Sequence, residues 1–245
     1  MDPSASLRHI GADAVALARA AAFDLHAAVP ACPGWTVVDL VGHTGSVHRW
    51  VETMVRTEAG ERLDRGRLPG PPADEESLVG WFRDGAARLV ATLAEAGTER
   101  PVWNWSDEAQ VSAFWHRRMA HETAVHRWDG EAAVGEPLGV EPELAADGID
   151  ELLTVFLPRH VEGAEALVGL GGTLHVHCAD TAGEWLVELG DGTVAVTREH
   201  RKGDAAIRGG ASDVLLFLWN RLPLDRVEVV GARAVAERWA EAVRW

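Results

Sequence analysis

The sequence predicts an α+β protein, an antiparallel four-helix bundle followed by a small α/β domain. Three observations lead there. Four long stretches of helical periodicity, each closed by Gly or Pro signals, fill the chain as far as Gly135. Past about residue 160 the texture changes to short alternating runs, first over 173–178 and then over 184–189. Finally, 245 residues with 47% hydrophobic and 25% charged side chains have the balance of a folded chain, long enough for one large domain or two modest ones.

The first helix is expected over residues 6–28, ended by Pro30 and Pro33. The second follows Pro33-Gly34-Trp35, with Thr36 as N-cap and Asp39 at the third helical position, a capping box with Asp in place of Glu; it should end near Glu58. Residues 60–72, rich in Gly, Pro and Arg, read as a loop, and a third helix then covers 74–96. The fourth runs from Val111 to just before Gly135. A further helix is expected over 143–156, broken by Pro158. Gly190-Asp191-Gly192, between the runs 184–189 and 193–197, is a hairpin signal. A strand over 205–208, a helix over 212–221 capped by Ser212, a strand over 226–230 and a closing helix from Ala232 complete the chain. This divides the protein into a helical domain, 1–160, and a small α+β domain, 161–245.

Charge and cysteine content narrow the function. Acidic residues number 38 against 23 basic ones, a net charge of −15, and no basic cluster offsets it, so nucleic acid and anionic membranes are disfavoured partners. No stretch offers 18 uninterrupted apolar residues, and the N-terminus has no basic start, apolar run and cleavage site, so neither spanning a membrane nor export is expected. Cys32 and Cys178 lie far apart and form no CxxC, which argues against a disulfide framework and for a reducing cytoplasm. A single lysine among many arginines, with abundant Ala, Gly and Val, suggests a high-GC genome such as an actinobacterial one. The expected state is a monomer or a weak homodimer. No GxGxxG follows a strand, no Walker lysine is present and no GxSxG elbow appears.

Chemistry concentrates on the fourth helix. At 100° per residue, Glu122, His126 and Asp129 fall within about 60° of one another, on the stripe that also holds Val111, Trp115, Met119, Val125 and Ala133, with Arg118 beside them. Burying a carboxylate and an imidazole needs partners, and a divalent metal supplies them efficiently. The plainer explanation is an Arg118, Glu122, His126 ladder at i, i+4 spacing that satisfies itself. The HExxH metalloprotease pattern is excluded, since His121 and His126 are five apart, about 140° around the helix. A third ligand must come from another helix. The second offers His43 and His48, which flank its apolar seam on opposite sides, about 60° to 80° from the centre, so periodicity does not choose between them. His175 and His177 share one face of a strand, a spacing that can bind metal but also marks a solvated face. Arg221 can clamp a carboxylate, although a cation near a helix C-terminus is favourable in its own right.

Three motifs carry a resemblance. Cys-Pro-Gly-Trp-Thr-Val-Val-Asp-Leu-Val-Gly-His43, His-Glu-Thr-Ala-Val-His-Arg-Trp-Asp129, and Gly-Glu-Trp185 with Leu-Phe-Leu-Trp-Asn-Arg-Leu-Pro223 resemble the maleylpyruvate isomerase family of mycothiol-dependent enzymes, in the same order along almost the whole chain. The resemblance implies a DinB-like N-terminal bundle and a C-terminal domain similar to sterol carrier proteins. It implies metal ligands at His43, Glu122 and His126, with Asp129 orienting the last ligand or touching the thiol, and Arg221 holding substrate.

Three ligands of His, Glu and His type leave zinc an open fourth position, the mark of a catalytic site. The ligand set carries a site charge of about +1, suited to one thiolate. The expectation is therefore a zinc, or other divalent metal, enzyme that activates mycothiol in a cleft between the domains for isomerisation of, or S-transfer to, a small electrophilic substrate. A metal hydrolase and a thiol-binding or regulatory protein without turnover are the competing readings.

Overall fold

The computed structural model describes residues 1–161, 171–190 and 193–243. Four helices form the N-terminal bundle: α1 (Pro3–Phe23), α2 (Val37–Arg56), α3 (Leu78–Ala96) and α4 (Ser112–Val134). Each of α1 and α2 packs against both α3 and α4. Their apolar faces meet in a core that includes Leu17, Val37, Leu40, Phe82 and Ala86. Gly45 and Gly130 permit close approach, because a Cβ would stand 2.3 Å from the Trp81 ring at the first and 2.5 Å from Leu17 at the second.

Local chemistry sets the helix ends. At α1 the Asp2 carboxylate accepts from the Ala5 N–H at 3.1 Å, and Pro3 opens the helix, three residues ahead of the expected start. The same helix stops at Phe23 rather than near 28, because residues 25–38 are drawn into a backbone-bonded loop: the Val29 N–H donates to the Trp35 carbonyl at 2.9 Å and the Val37 N–H to the Ala27 carbonyl at 3.0 Å. The loop turns at Cys32-Pro33-Gly34-Trp35, where the Trp35 N–H donates to the Cys32 carbonyl at 2.9 Å and Gly34 has φ 86°, the arrangement of a type II turn. At α2 the Asp39 carboxylate accepts from the Thr36 N–H at 2.8 Å and from its hydroxyl at 2.9 Å, as the capping pattern foresaw.

By internal packing the chain divides into two compact units, Met1–Leu138 and Gly139–Trp245. The boundary expected at 160 assigned α5 (Pro142–Glu151) and α6 (Leu157–Val161) to the bundle, whereas they belong with the second unit. There α5 packs on α7 (Ala211–Leu218), so a helical texture alone does not mark the border. The break expected at Pro158 does not occur. A π-helical turn, Leu152–Phe156, closed by the Leu157 N–H on the Leu152 carbonyl, carries the helix into α6, where Pro158 sits in the first turn and its missing N–H is tolerated.

The second unit holds a five-stranded sheet: β1 (Gly172–Cys178), β2 (Glu184–Leu189), β3 (Val194–Thr197), β4 (Ala205–Gly209) and β5 (Glu228–Gly231), in the order β3-β2-β1-β4-β5. Only the β1–β4 pairing among these is parallel. The foreseen hairpin joins β2 to β3, Leu189 opposite Val194, although Asp191 and Gly192 lie outside the described residues. One sheet face presents Leu174, Val176, Trp185, Val187 and Ile207, all buried, and α7 and α8 (Arg233–Ala242) pack against β1 and β4. Ser212 is not the cap of α7. The helix starts one residue earlier, the Ala211 N–H donates to Asp180 Oδ1 at 2.8 Å, and the Ser212 hydroxyl instead accepts from the Val140 N–H at 2.9 Å. Among the described residues no helix is long and apolar enough to cross a membrane.

Candidate metal centre

The fourth helix is buried around most of its circumference, from Phe114 and Trp115 through Arg118, His121 and His126 to Asp129 and Gly130, rather than along one stripe. Its polar side chains must therefore find partners inside the protein. Arg127 does so with Asp13 of α1 at 3.1 Å and with Glu131 at 2.8 Å.

The other polar set converges on one point. His43 Nε2 and His126 Nε2 each lie 3.4 Å from Glu122 Oε1, and the two rings meet edge to face with centroids 5.2 Å apart. Glu122 Oε2 points the other way, accepting from Arg118 Nη2 at 2.7 Å. The Arg118–Glu122 half of the self-satisfying ladder thus exists, and it leaves Oε1 to the two imidazoles. Behind His126, Asp129 is fully buried and its Oδ2 stands 3.0 Å from His126 Nδ1, with Cys32 Sγ 3.9 Å from the same oxygen. Trp35 lies against His43, ring centroids 5.1 Å apart.

The donor set fits a divalent cation. One atom each from His43, Glu122 and His126 lies within 4.8 Å of the others. The 3.4 Å separations exceed the usual N–H···O range of about 2.7–3.2 Å, and they approach the edge of about 3.3 Å between ligand atoms set 2.0–2.1 Å from a tetrahedral zinc. Asp129 holds Nδ1 of His126, which leaves Nε2 facing Glu122. Side-chain exposure grades outward, 11% at His126, 17% at Glu122 and 35% at His43, so the cluster opens to solvent on the His43 side.

The electrostatics of the metal-free cluster match this reading. Burial disfavours the His126 cation, yet the hydrogen bond to Asp129 and the nearby Glu122 carboxylate outweigh it and push the ring up to about 9. Burial also works against the Glu122 anion, but contacts with His126 and His43 and the Arg118 guanidinium hold it well below the usual carboxylate range. A metal ion would take the place of the proton on His126.

His48, the alternative on α2, is a core residue. It is fully buried, its Nε2 lies 2.9 Å from the Thr123 hydroxyl, it stacks on Phe82, and burial lowers its pKa to about 4. Arg221 belongs to the second unit and follows α7 rather than ending it. Asn220, at φ 59°, closes a Schellman turn in which the Arg221 N–H donates to the Leu216 carbonyl at 2.7 Å and the Asn220 N–H to the Phe217 carbonyl at 2.9 Å. Its Nη1 donates to the Trp219 carbonyl at 2.8 Å. Sequence periodicity missed Cys32 and Trp35 as neighbours of the cluster, since both sit on the loop before α2; the Pro-Gly turn signal between them was the available clue.

Fold and cluster together define a class: a helical bundle carrying a metal-competent His-Glu-His set on two helices, joined to a small mixed-sheet domain. The chain belongs to the mycothiol maleylpyruvate isomerase family. Residues 7–130 match the model of the mycothiol maleylpyruvate isomerase N-terminal domain, and residues 143–238 match that of the MDMPI C-terminal domain. Two solved structures share the architecture over 100% of this chain and 98% of theirs, each at 11% identity: a mutant of the mycothiol-dependent maleylpyruvate isomerase, TM-score 0.66, and the mycothiol-dependent maleylpyruvate isomerase, TM-score 0.60. At that identity the likeness speaks to the fold. Comparison with curated protein sequences gives no match.

Proposed function

We propose that this protein is a metal-dependent, mycothiol-dependent isomerase acting on a small unsaturated, electrophilic substrate. The observation that carries the reading is the convergence of His43 Nε2, Glu122 Oε1 and His126 Nε2, backed by Asp129, inside the domain that matches the isomerase family. These three side chains would hold a divalent metal, zinc matching the donor set best, and a bound metal would supply the acidity that takes the proton from a thiol at neutral pH.

The protein's own groups set the stage for that chemistry. Asp129 keeps the proton on His126 Nδ1 and fixes the ring. Arg118 holds one Glu122 oxygen so that the other faces the two imidazoles. The exposed side of His43 gives a thiol its way in. The thiol sulfur then adds to one carbon of the substrate double bond, the resulting single bond rotates, and elimination of the sulfur restores the double bond in the other geometry. Atoms and electrons balance without an oxidant, and the thiol is regenerated. Arg221, planar and bidentate, is assigned to an anionic substrate carboxylate.

The test is incubation of the purified protein with mycothiol and a maleyl substrate, with and without chelator. Isomer formation that requires thiol and is lost on chelation supports the reading. Product formed without thiol indicates a hydrolase, and thiol binding without product indicates a sensor; either result overturns it.

A further inference from the structure

A second constellation of metal-ligating side chains lies in the C-terminal unit, outside everything assigned above. His175 and His177 alternate along β1 and so project from one face; His177 stands opposite Glu184 at the start of β2, and His200 arrives on the segment that follows β3. His177 Nδ1 lies 2.9 Å from Glu184 Oε1, His200 Nδ1 lies 2.6 Å from Glu184 Oε2, and His175 Nε2 lies 3.7 Å from that same oxygen. One ligand atom from each of the four residues falls within 4.8 Å of all the others. The three imidazoles crowd together with ring centroids 5.2 to 6.3 Å apart.

His177 and His200 reach Glu184 at hydrogen-bond distance, but His175 is not satisfied as it stands. His175 is only 7% exposed, and its Nε2 is a buried polar atom with no hydrogen-bond partner, aimed at a carboxylate too distant to accept from it. Were the rings charged, three cations would face one carboxylate. With neutral rings the His175 nitrogen is stranded. A cation at the centre of the four donors resolves both difficulties. Of the neighbouring cations, Arg198 pairs with Asp150 and Arg201 with Glu188, while Arg208, the register neighbour of His177 on β4, is exposed.

We propose that His175, His177, Glu184 and His200 form a second divalent-metal site, selective for zinc and its late first-row neighbours. Three imidazoles and one carboxylate are the donors such ions prefer over magnesium or calcium. Four protein ligands fill a tetrahedral shell and leave no open position, so the site is structural rather than catalytic. Its ligands come from β1, β2 and the segment after β3, so occupation ties that segment to the sheet.

The test uses the full chain carrying His126→Ala, which removes the metal site proposed for the bundle. Stripped of metal and titrated with zinc sulfate, this variant should take up one equivalent per chain, and with cobalt it should show the visible absorption of a tetrahedral nitrogen and oxygen site. His200 is 77% exposed, so adding His200→Ala leaves the core intact and should weaken zinc binding at least 10-fold. No zinc uptake by the His126→Ala chain, or uptake unchanged by His200→Ala, overturns the proposal. Because the bundle ligand is already absent, neither result bears on the function proposed above.

Discussion

His126 Nδ1 and Asp129 Oδ2 stand 3.0 Å apart, one turn of α4 from each other, with the carboxylate fully buried. That contact decides which nitrogen of His126 faces Glu122 and His43.

Asp129→Asn keeps the shape and removes the charge. It should weaken zinc affinity about 10- to 100-fold while leaving the fold intact. Competition against a chromophoric chelator measures this; affinity within twofold of wild type would show that Asp129 does not orient His126.

The metal-free protein should be pH-sensitive through His126. Its folded pKa, about 9, lies above the ordinary value of 6.5, so the stability it contributes is fully present below about 6.5 and is lost as pH rises through about 9. Urea unfolding of chelator-treated wild type and His126→Gln should show a wild-type advantage of at most a few kcal/mol near pH 6 that shrinks to nothing near pH 10. An advantage constant across that range would contradict the assignment.

Arg127 is buried; it joins α4 to α1 through Asp13 and pairs with Glu131 on its own helix. Arg127→Ala takes the guanidinium from Asp13, while Glu131 keeps the Leu138 N–H at 3.0 Å, and should destabilise the protein by about 1–3 kcal/mol, read as a shift in the urea midpoint. A loss below about 1 kcal/mol would mean that water replaces the guanidinium.

Arg221→Ala should leave metal content unchanged and raise KM for an anionic substrate. Equal kinetics for the two proteins would remove Arg221 from substrate binding.

The helices and strands were legible because their signals are local. Thr36 and Asp39 mark the start of α2, alternation marks β1 and β2, and helical spacing places Glu122, His126 and Asp129 together on α4. What failed depended on the third dimension. Periodicity could not separate His43 from His48, because the two flank one seam and only packing puts Thr123 and Phe82 around His48. Pro158 reads as a stop in sequence, yet the π turn ahead of it absorbs the missing hydrogen bond. The unit boundary escaped because α5 is as helical as the bundle but buries its apolar face elsewhere. His200 gave no signal beside His175 and His177, since the sheet alone brings it to them.

The most direct measurement is elemental analysis of the purified chain beside His43→Ala and His126→Ala, with the His175, His177, Glu184, His200 group disabled by His177→Ala and His200→Ala together in all three. One zinc per chain that disappears in both variants is the predicted result; zinc retained at the starting level in either would contradict the His43, Glu122, His126 centre.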